Sequence, residues 1–399
     1  MGQQGFTAVG DADSTRSIGI GLLGYSFMAR AHTNAYRQIP TTFWPPAARP
    51  KLVAIAGRTE DHVAEAARKF GYEGYYTSWE ELVEDPRVEL FDNCSSHHMH
   101  VEPTIAALKN GKHVICEKPM ALNAEDAFRM LDAARTAGTH HMCGFNYRFV
   151  PAIRLAHDLI ERGDLGEIYH FRVQYLQQSL YDPERPLGKH LDPASSKAGS
   201  QAILGCHAVD VARFLIGEFG TLSALAPRFL DQRPGPNNSV VDIEWDDASV
   251  ALVEFTNGAV GSVEASRLAG GRANSLKFEV NGSRGTIAFD LERLNELQVF
   301  LRDATVPEVV GFQQVMVTQQ NHPYGKVWWP HGHVLGWEHA HINELNHLIE
   351  SIVNNTPVDP LGATFEDGYR AAVIAEAVIQ SAESGKRVEI AYKPYARLS

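Results

Sequence analysis

From Ser17 to about Tyr147 the chain alternates short apolar runs with stretches of helical period. The runs are IGIGLL (18–23), KLVAIAG (51–57), VELFDNC (88–94), HVICE (113–117) and HHMCGF (140–145). Between them lie DHVAEAARKFG, SWEELVED, HVEPTIAALKNG and AEDAFRMLDAARTAG. Strands that read as unbroken apolar runs need cover on both faces, and strand–helix alternation supplies it through βαβ units in a parallel sheet. Right-handed crossovers then make a doubly wound α/β sheet the expected architecture. The stretch TTFWPPAARP (41–50), with three prolines in ten residues, is expected to interrupt the first crossover as an irregular surface loop.

After Pro151 the texture changes. A helix over 151–162 leads into GEIYHFRVQYLQ, an alternating strand, and paired strands follow beyond residue 220. Asn257-Gly258 and Asn281-Gly282 are hairpin signals, and 338–384 returns to helical period. A chain of 399 residues exceeds one average domain. The expected division is a flexible tail (1–16), an α/β domain (17–150) and a second α/β domain with an open, mostly antiparallel sheet (151–399).

Net charge is −12, which argues against a nucleic-acid or anionic-membrane partner. No apolar run approaches a membrane span and no signal peptide is visible. Cys94, Cys116, Cys143 and Cys206 form no C-x-x-C pair and read as reduced thiols of a cytoplasmic protein.

SIGIGLLGYSFMARAH (17–32) holds two overlapping G-x-G-x-x-G-like stretches. In a dinucleotide fingerprint the first glycine must follow the strand, the second must let backbone approach the pyrophosphate, and the third must let the helix pack. The literal copy, Gly19 to Gly24, begins inside the strand. The second, Gly24-Tyr25-Ser26-Phe27-Met28-Ala29, stands where the turn belongs. Ser26 crowds the phosphate with its Cβ but can offer its hydroxyl. At the end of the next strand, where an NAD site carries a ribose-binding acid, this chain has Gly57-Arg58-Thr59. Arg58 could pair with a 2′-phosphate, lie on adenine, or stand solvated; the missing acid leans toward NADP(H) and leaves NAD(H) open.

HVICEKPMAL (113–122) places Lys118 at a strand's carboxyl end, where doubly wound sheets bind ligands. A lysine whose pKa is lowered there can take an alcohol's proton as hydride leaves the carbon; the plain alternative is an edge lysine. GKHVICEKPMAL, GFNYRFVPAI (144–153), GDLGEIYHFRVQYLQ (163–177) and LGCHAVDVARFLIGE (204–218) together resemble the Gfo/Idh/MocA family of glucose-fructose oxidoreductase and inositol dehydrogenase relatives. FWPP (43–46) and HPYG (322–325) are most similar to its sugar dehydrogenases of the levoglucosan dehydrogenase type.

The resemblance implies a Rossmann domain followed by a substrate-binding and oligomerisation domain whose sheet builds homodimers or homotetramers. It also implies NAD(P)-dependent oxidation or reduction of a secondary hydroxyl or keto group in a sugar, cyclitol or glycoside. Gly24 matches the first fingerprint glycine, with Ser26, Phe27 and Met28 beside it. Ser95, Ser96, His97 and His100 match the cofactor-contacting turn. Glu117, Lys118 and Pro119 match the EKP motif. Asn146 and Tyr147 match a stretch at the domain junction, and His207 matches a catalytic histidine. Lys118, Tyr147, Gln177 and His207 are thus the expected substrate contacts. One departure stands out: the family's Asp four residues before the His falls on Ile203. Lys189, His190 or Asp192 could replace it.

Spacing alone puts Ile203, His207, Val211 and Leu215 on one apolar stripe, which suits a core histidine as well as a catalytic one. The clusters HHMH (97–100), HGH (331–333) and EHAH (338–341) make a metal conceivable, but none is expected, because the family uses none. Two other readings remain: a redox-neutral, NAD-dependent glycoside-cleaving enzyme, and a cofactor-binding sensor without turnover.

Overall fold

The computed structural model describes residues 15–187, 199–235, 239–303 and 310–393. Strands β1 (Ser17–Leu23), β2 (Arg49–Ala56), β3 (Gly74–Tyr76), β4 (Leu90–Asn93), β5 (His113–Cys116) and β6 (His141–Cys143) form an all-parallel sheet in the order β3-β2-β1-β4-β5-β6. Helices α1 (Phe27–Thr42), α2 (Glu60–Phe70), α3 (Trp79–Glu84), α4 (Val101–Lys109) and α5 (Ala124–Ala137) make the connections. This is the doubly wound order expected of a dinucleotide-binding sheet. The loop expected over 41–50 is shorter than that: α1 runs to Thr42, and β2 begins at Arg49, which pairs with Ser17. β3, a three-residue edge strand, is too short to carry a pattern of its own.

The second sheet has nine strands. α6 (Pro151–Glu161), with Pro at its first turn, leads into β7 (Ile168–Leu176). α7 (Cys206–Leu215) precedes β8 (Phe219–Leu225), β9 (Gln232–Pro234), β10 (Val240–Asp242), β11 (Ala248–Phe255) and β12 (Val260–Ser266). Then come β13 (Ser275–Gly282), β14 (Gly285–Asp290), β15 (Glu296–Leu301), β16 (Gln313–Met316), α8 (Glu338–Asn354), α9 (Phe365–Ser384) and β17 (Val388–Glu389). The order is β16-β15-β14-β13-β7-β12-β11-β8-β17; β7 and β12 run parallel and the other pairs antiparallel, while β9 and β10 form a separate ribbon. Asn257-Gly258 turns between β11 and β12 as its dipeptide predicts. Asn281-Gly282 does not turn: it ends β13, beside a register shift against β7, and the turn falls on Ser283-Arg284. Gly282 is needed there because a Cβ would come 2.3 Å from the Leu165 carbonyl oxygen.

Burial patterns separate the two sheets. β1 is buried along its length after Ser17, whereas β11 alternates buried and exposed residues. One face of the second sheet therefore packs on helices and the other is open. α8 returns to the parallel sheet: Ile342, Leu345, Leu348 and Ile349 share one apolar cluster with Ile18, Ile20, Tyr36 and Ile39. No helix among the described residues is long and apolar enough to cross a membrane.

A buried ionic joint ties the sheets together. Arg148, from the 3₁₀ turn after β6, donates to Asp210 of α7 from Nε (3.0 Å) and Nη2 (2.6 Å), and Asp367 of α9 lies 3.2 Å from Nη2. Burial raises the Asp210 pKa. It also works against the Asp367 carboxylate, but Arg148 and Arg213 hold that group well below the usual range. Removing the guanidinium strands buried Asp210 and leaves Asp367 with Arg213 alone. Arg148→Ala should therefore cost about 3–5 kcal/mol in urea unfolding of the full chain; a loss below about 1 kcal/mol would remove this joint from the account.

Candidate active site

β1 ends at Leu23, and Gly24 takes the turn with φ +103°, a backbone that favours glycine. A Cβ at Gly24 would also meet the Cys94 carbonyl oxygen at 2.6 Å. Ser26 caps α1 with no side-chain hydrogen bond, and the first turn of α1 carries no acidic residue. The turn thus offers unpaired N–H groups and a hydroxyl to an anion. Gly19 and Gly21, by contrast, lie within β1, where Cβ atoms would come 1.8 Å from the Arg87 carbonyl oxygen and 2.7 Å from Val88. The literal fingerprint serves packing, and the poorer copy makes the turn.

Around this turn, Met28 packs with Leu22 and Ile55, and Tyr25 lies over Gly57. Arg58 is exposed at the end of β2. Phe27, although at the helix start, is largely exposed and stacks on Trp337 with ring centroids 5.3 Å apart. At the end of β4, Asn93 organises the next turn. Its amide nitrogen donates to the Met99 and His100 carbonyls, and its oxygen accepts from the Ser95 hydroxyl at 2.5 Å. Ser95 and His97 are half-buried and Ser96 exposed along this rim.

His100 differs from its expected role as a direct cofactor contact. It is fully buried, with Nδ1 2.9 Å from the Pro119 carbonyl oxygen and Nε2 3.3 Å from that of Ser95. Burial lowers its pKa, so a neutral ring gives its single N–H to the nearer Pro119. It clamps the EKP corner instead of facing a ligand.

Glu117 is also buried. His32 stands between two carboxylates: its Nδ1 is 2.9 Å from Asp92 Oδ2 and its Nε2 3.1 Å from Glu117 Oε1. Burial opposes the charged ring, but Asp92 above all raises its pKa well above the ordinary value. Burial likewise opposes ionised Glu117, yet the His32 hydrogen bond and the charges of His32 and Lys118 hold it down to about 2. Glu117 Oε2 accepts the Lys118 backbone N–H at 3.1 Å. Tyr36 Oη donates to Asp92 at 2.8 Å, completing a buried chain beneath the lysine.

Half-buried Lys118 leads into a wall built by the second sheet. His207 is buried at the start of α7, 4.7 Å from the Tyr147 ring and 5.7 Å from the Tyr175 ring, between centroids. Burial first, then the charge of Lys118, lowers its pKa well below the ordinary value, so the ring is neutral. Tyr147 Oη lies 2.8 Å from Tyr175 Oη, Tyr175 donates to Asn274 at 2.7 Å, and Gln177 Nε2 donates to the same oxygen at 2.7 Å. Tyr147, Gln177 and His207 are thus brought together with Tyr175 and Asn274. Neither of those two was singled out in the sequence: Tyr175 lies within the alternating strand GEIYHFRVQYLQ, and no motif covers Asn274.

Asn146, 4% exposed, has its side-chain amide nitrogen unpartnered among the described residues. That orphan donor, the open α1 terminus and the Gly24 cradle fit a dinucleotide laid across the strand ends. Lys189, His190 and Asp192 lie outside the described residues.

Gln201–Gly205 form a π-helical turn, and Ile203 within it packs against the apolar cluster that holds Val211 and Leu215. The histidine clusters resolve differently. HGH is a turn around Gly332 (φ +91°), with His331 bonded to Thr318 and His333 to the Pro330 carbonyl. In α8, His339 and His341 fall two residues apart, on different faces. His32, Glu117 and His341 do bring donor atoms within 4.8 Å of one another. His32, however, donates both ring N–H groups to carboxylates and has no lone pair for an ion.

A doubly wound sheet with an open helix terminus, and a lysine–histidine pair at its carboxyl edge, define a nicotinamide-dependent oxidoreductase. Comparison with known proteins agrees. The oxidoreductase-family model with an NAD-binding Rossmann fold matches residues 18–145, and the Gfo/Idh/MocA C-terminal domain model matches 153–288. The chain is 36% identical to levoglucosan dehydrogenase of Pseudarthrobacter phenanthrenivorans, across 94% of this chain and 98% of that protein. It is 27% identical to myo-inositol 2-dehydrogenase of Thermotoga maritima, across 93% and 98% respectively. A solved levoglucosan dehydrogenase in complex with NADH and levoglucosan superposes with a TM-score of 0.90 at 37% identity, over 94% of this chain and all of that one. The chain belongs to the Gfo/Idh/MocA oxidoreductase family.

Because Glu117 is held near 2 against 4.5 unfolded, it adds stability above about pH 4.5 that is lost as pH falls through the folded value. Chemical-denaturation stability of wild type should therefore fall more steeply from pH 5 to pH 3 than that of Glu117→Gln. Parallel curves would show that Glu117 carries no such linkage.

Proposed function

We propose that the chain oxidises a secondary hydroxyl of a sugar or anhydro-sugar, or reduces the matching ketone, with NAD(H) or NADP(H). The observation that carries this reading is Lys118 at the carboxyl edge of the parallel sheet, beside neutral, buried His207 and the polar wall Tyr147–Tyr175–Asn274–Gln177. The working units proposed are residues 17–150 for the cofactor and 151–399 for substrate and assembly, with α8 returning to close the first. Gly24, Ser26, Phe27, Met28, Arg58, Ser95, Ser96, His97 and Asn146 would border the cofactor. When bound, its nicotinamide accepts or gives the hydride.

The chain's own residues handle the rest. Lys118 takes the hydroxyl proton as general base, or returns it as general acid. His207, neutral and buried, hydrogen-bonds the reacting oxygen and aims it at Lys118. Tyr147, Asn274 and Gln177 bind neighbouring hydroxyls. Glu117, anchored by His32, fixes the backbone from which Lys118 projects. The levoglucosan and L-sorbose complexes of the relatives make those sugars the first to try.

The test is a thermal-shift comparison of NAD and NADP, then a sugar panel followed at the nicotinamide absorbance. Lys118→Met should lower kcat by roughly 10²–10⁴ while leaving the cofactor-induced shift in place. Absence of a shift with either dinucleotide would sink the reading.

We also propose that the open face of the second sheet pairs two or more copies in a cytoplasmic enzyme, as its four buried free thiols suit. Leu225 (70% exposed) and Leu252 (67%) sit there with Val250 and Val260 on β8, β11 and β12. Leu252→Arg should shift the mass measured by light scattering toward monomer. An unchanged mass, or a monomeric wild type, would remove this face as the interface.

A further inference from the structure

Two polar side chains on the buried side of α8 have no part in the fold or the site described above. His341 and Glu344 are 1% and 0% exposed, and neither ring nitrogen nor either carboxyl oxygen has a hydrogen-bond partner among the described residues. They face each other, Nδ1 3.4 Å from Oε2. The Trp337 ring closes one side of His341 at 4.5 Å and the His32 ring stands at 5.4 Å. With donor atoms of His32, Glu117 and His341 all within 4.8 Å of one another, the pair sits directly behind the Glu117–Lys118 corner. Buried polar groups left unmade cost about 1–3 kcal/mol each, and nothing in the packing of α8 calls for them. The helix is anchored by Ile342, Leu345, Leu348 and Ile349.

Lys118 thus stands within electrostatic reach of two imidazoles, His207 from α7 and His341 from α8; burial first and then neighbouring charge, Lys118 included, lowers both. Meanwhile position 203, where the resemblance expects a carboxylate, holds Ile203 in a π turn.

We propose that His341 and Glu344 together hold the proton that Lys118 exchanges with the substrate hydroxyl, in place of the carboxylate missing at position 203. The proposal rests on Lys118 being the acid–base group. During oxidation one proton leaves the hydroxyl oxygen for Lys118 Nζ, passes to the His341 ring directly or across one water, and is shared with the Glu344 carboxylate. During reduction the same proton returns. The hydroxyl O–H bond breaks as a Lys118 N–H forms, that N–H breaks as an imidazole N–H forms, and the imidazole N–H breaks as a carboxyl O–H forms, with no change of oxidation state in the pair.

The groups facing the pair are His32 of α1, Asp92 of β4, Glu117 and Lys118 after β5, and His207 and Asp210 of α7. Burial raises the Glu344 pKa well above the ordinary value and lowers that of His341 to about 3. A proton that reaches the pair therefore settles on the ionised Glu344 carboxylate, and the ring only relays it.

The test uses the full chain with Glu344→Gln, which keeps the shape of a neutral carboxyl, and His341→Phe, alongside Lys118→Met. His341→Phe should melt at or above the wild-type temperature, since it removes two unpartnered buried ring nitrogens, and Glu344→Gln, which keeps a buried polar head, should melt close to it. Each should lower kcat about 10- to 100-fold with sugar KM changed less than about threefold, and should raise the solvent deuterium isotope effect on kcat. Wild-type kcat, pH profile and isotope effect in both variants would overturn the proposal. A rise in KM at constant kcat would also overturn it, making the pair part of the sugar pocket. So would a stoichiometric metal in the purified protein that His341→Phe releases. If Lys118→Met itself keeps full activity, the acid–base reading fails, and that outcome is separate from any result on α8.

Discussion

The His32 ring held between Asp92 and Glu117 connects two strands and a helix through one buried charge. Asp92 comes from β4, Glu117 from the end of β5, and His32 from the second turn of α1. A buried carboxylate without a partner would take up a proton, and its hold on the Lys118 backbone would weaken. With the imidazolium in place the corner is rigid, and the lysine leaves it in one direction. His100 braces the same corner from the other side through the Pro119 carbonyl. Positioning of the proposed base therefore depends on residues that never touch a ligand.

The second sheet answers a different need. One face packs on helices, and Tyr175 of β7 and Asn274 just before β13 join His207 of α7 and Tyr147 of the turn after β6 in the wall near Lys118. The buried Arg148–Asp210–Asp367 joint holds α7 and α9 against the turn that carries Asn146 and Tyr147. Since both sheets feed one crevice, a shift in either would separate the lysine from its histidine. α8 closes the arrangement by laying apolar residues on the first sheet and polar ones behind the edge that carries Lys118.

Much of this was legible in the residues. Continuous apolar strands separated by helical periods allowed only a doubly wound parallel sheet. Lys118 at a strand end, before a proline, pointed to the crevice. Position relative to the strand picked Gly24 over Gly19 and Gly21, and the close approaches of Arg87 and Val88 give the steric reason. What escaped the residues was long-range. His32 and Asp92 are 60 positions apart and meet only because α1 packs over β4. Asn274 reaches the site from a loop that nothing local marks, and the EHAH cluster drew attention to His341 without showing that it would stand behind Glu117. Asn281-Gly282 failed as a turn because a bulge against β7 and the Leu165 carbonyl claim that glycine, a demand from another strand.

The sequence by itself determined the fold class, the strand end that carries Lys118 and the turn suited to a phosphate. Each of those follows from periodicities and steric preferences acting over a few residues. Tertiary structure alone decided which polar groups are paired, charged or left waiting: His32 protonated, His100 and His207 neutral, Glu344 unpartnered. Those states depend on desolvation and on charges a few ångströms away in space, and distance along the chain says nothing about either.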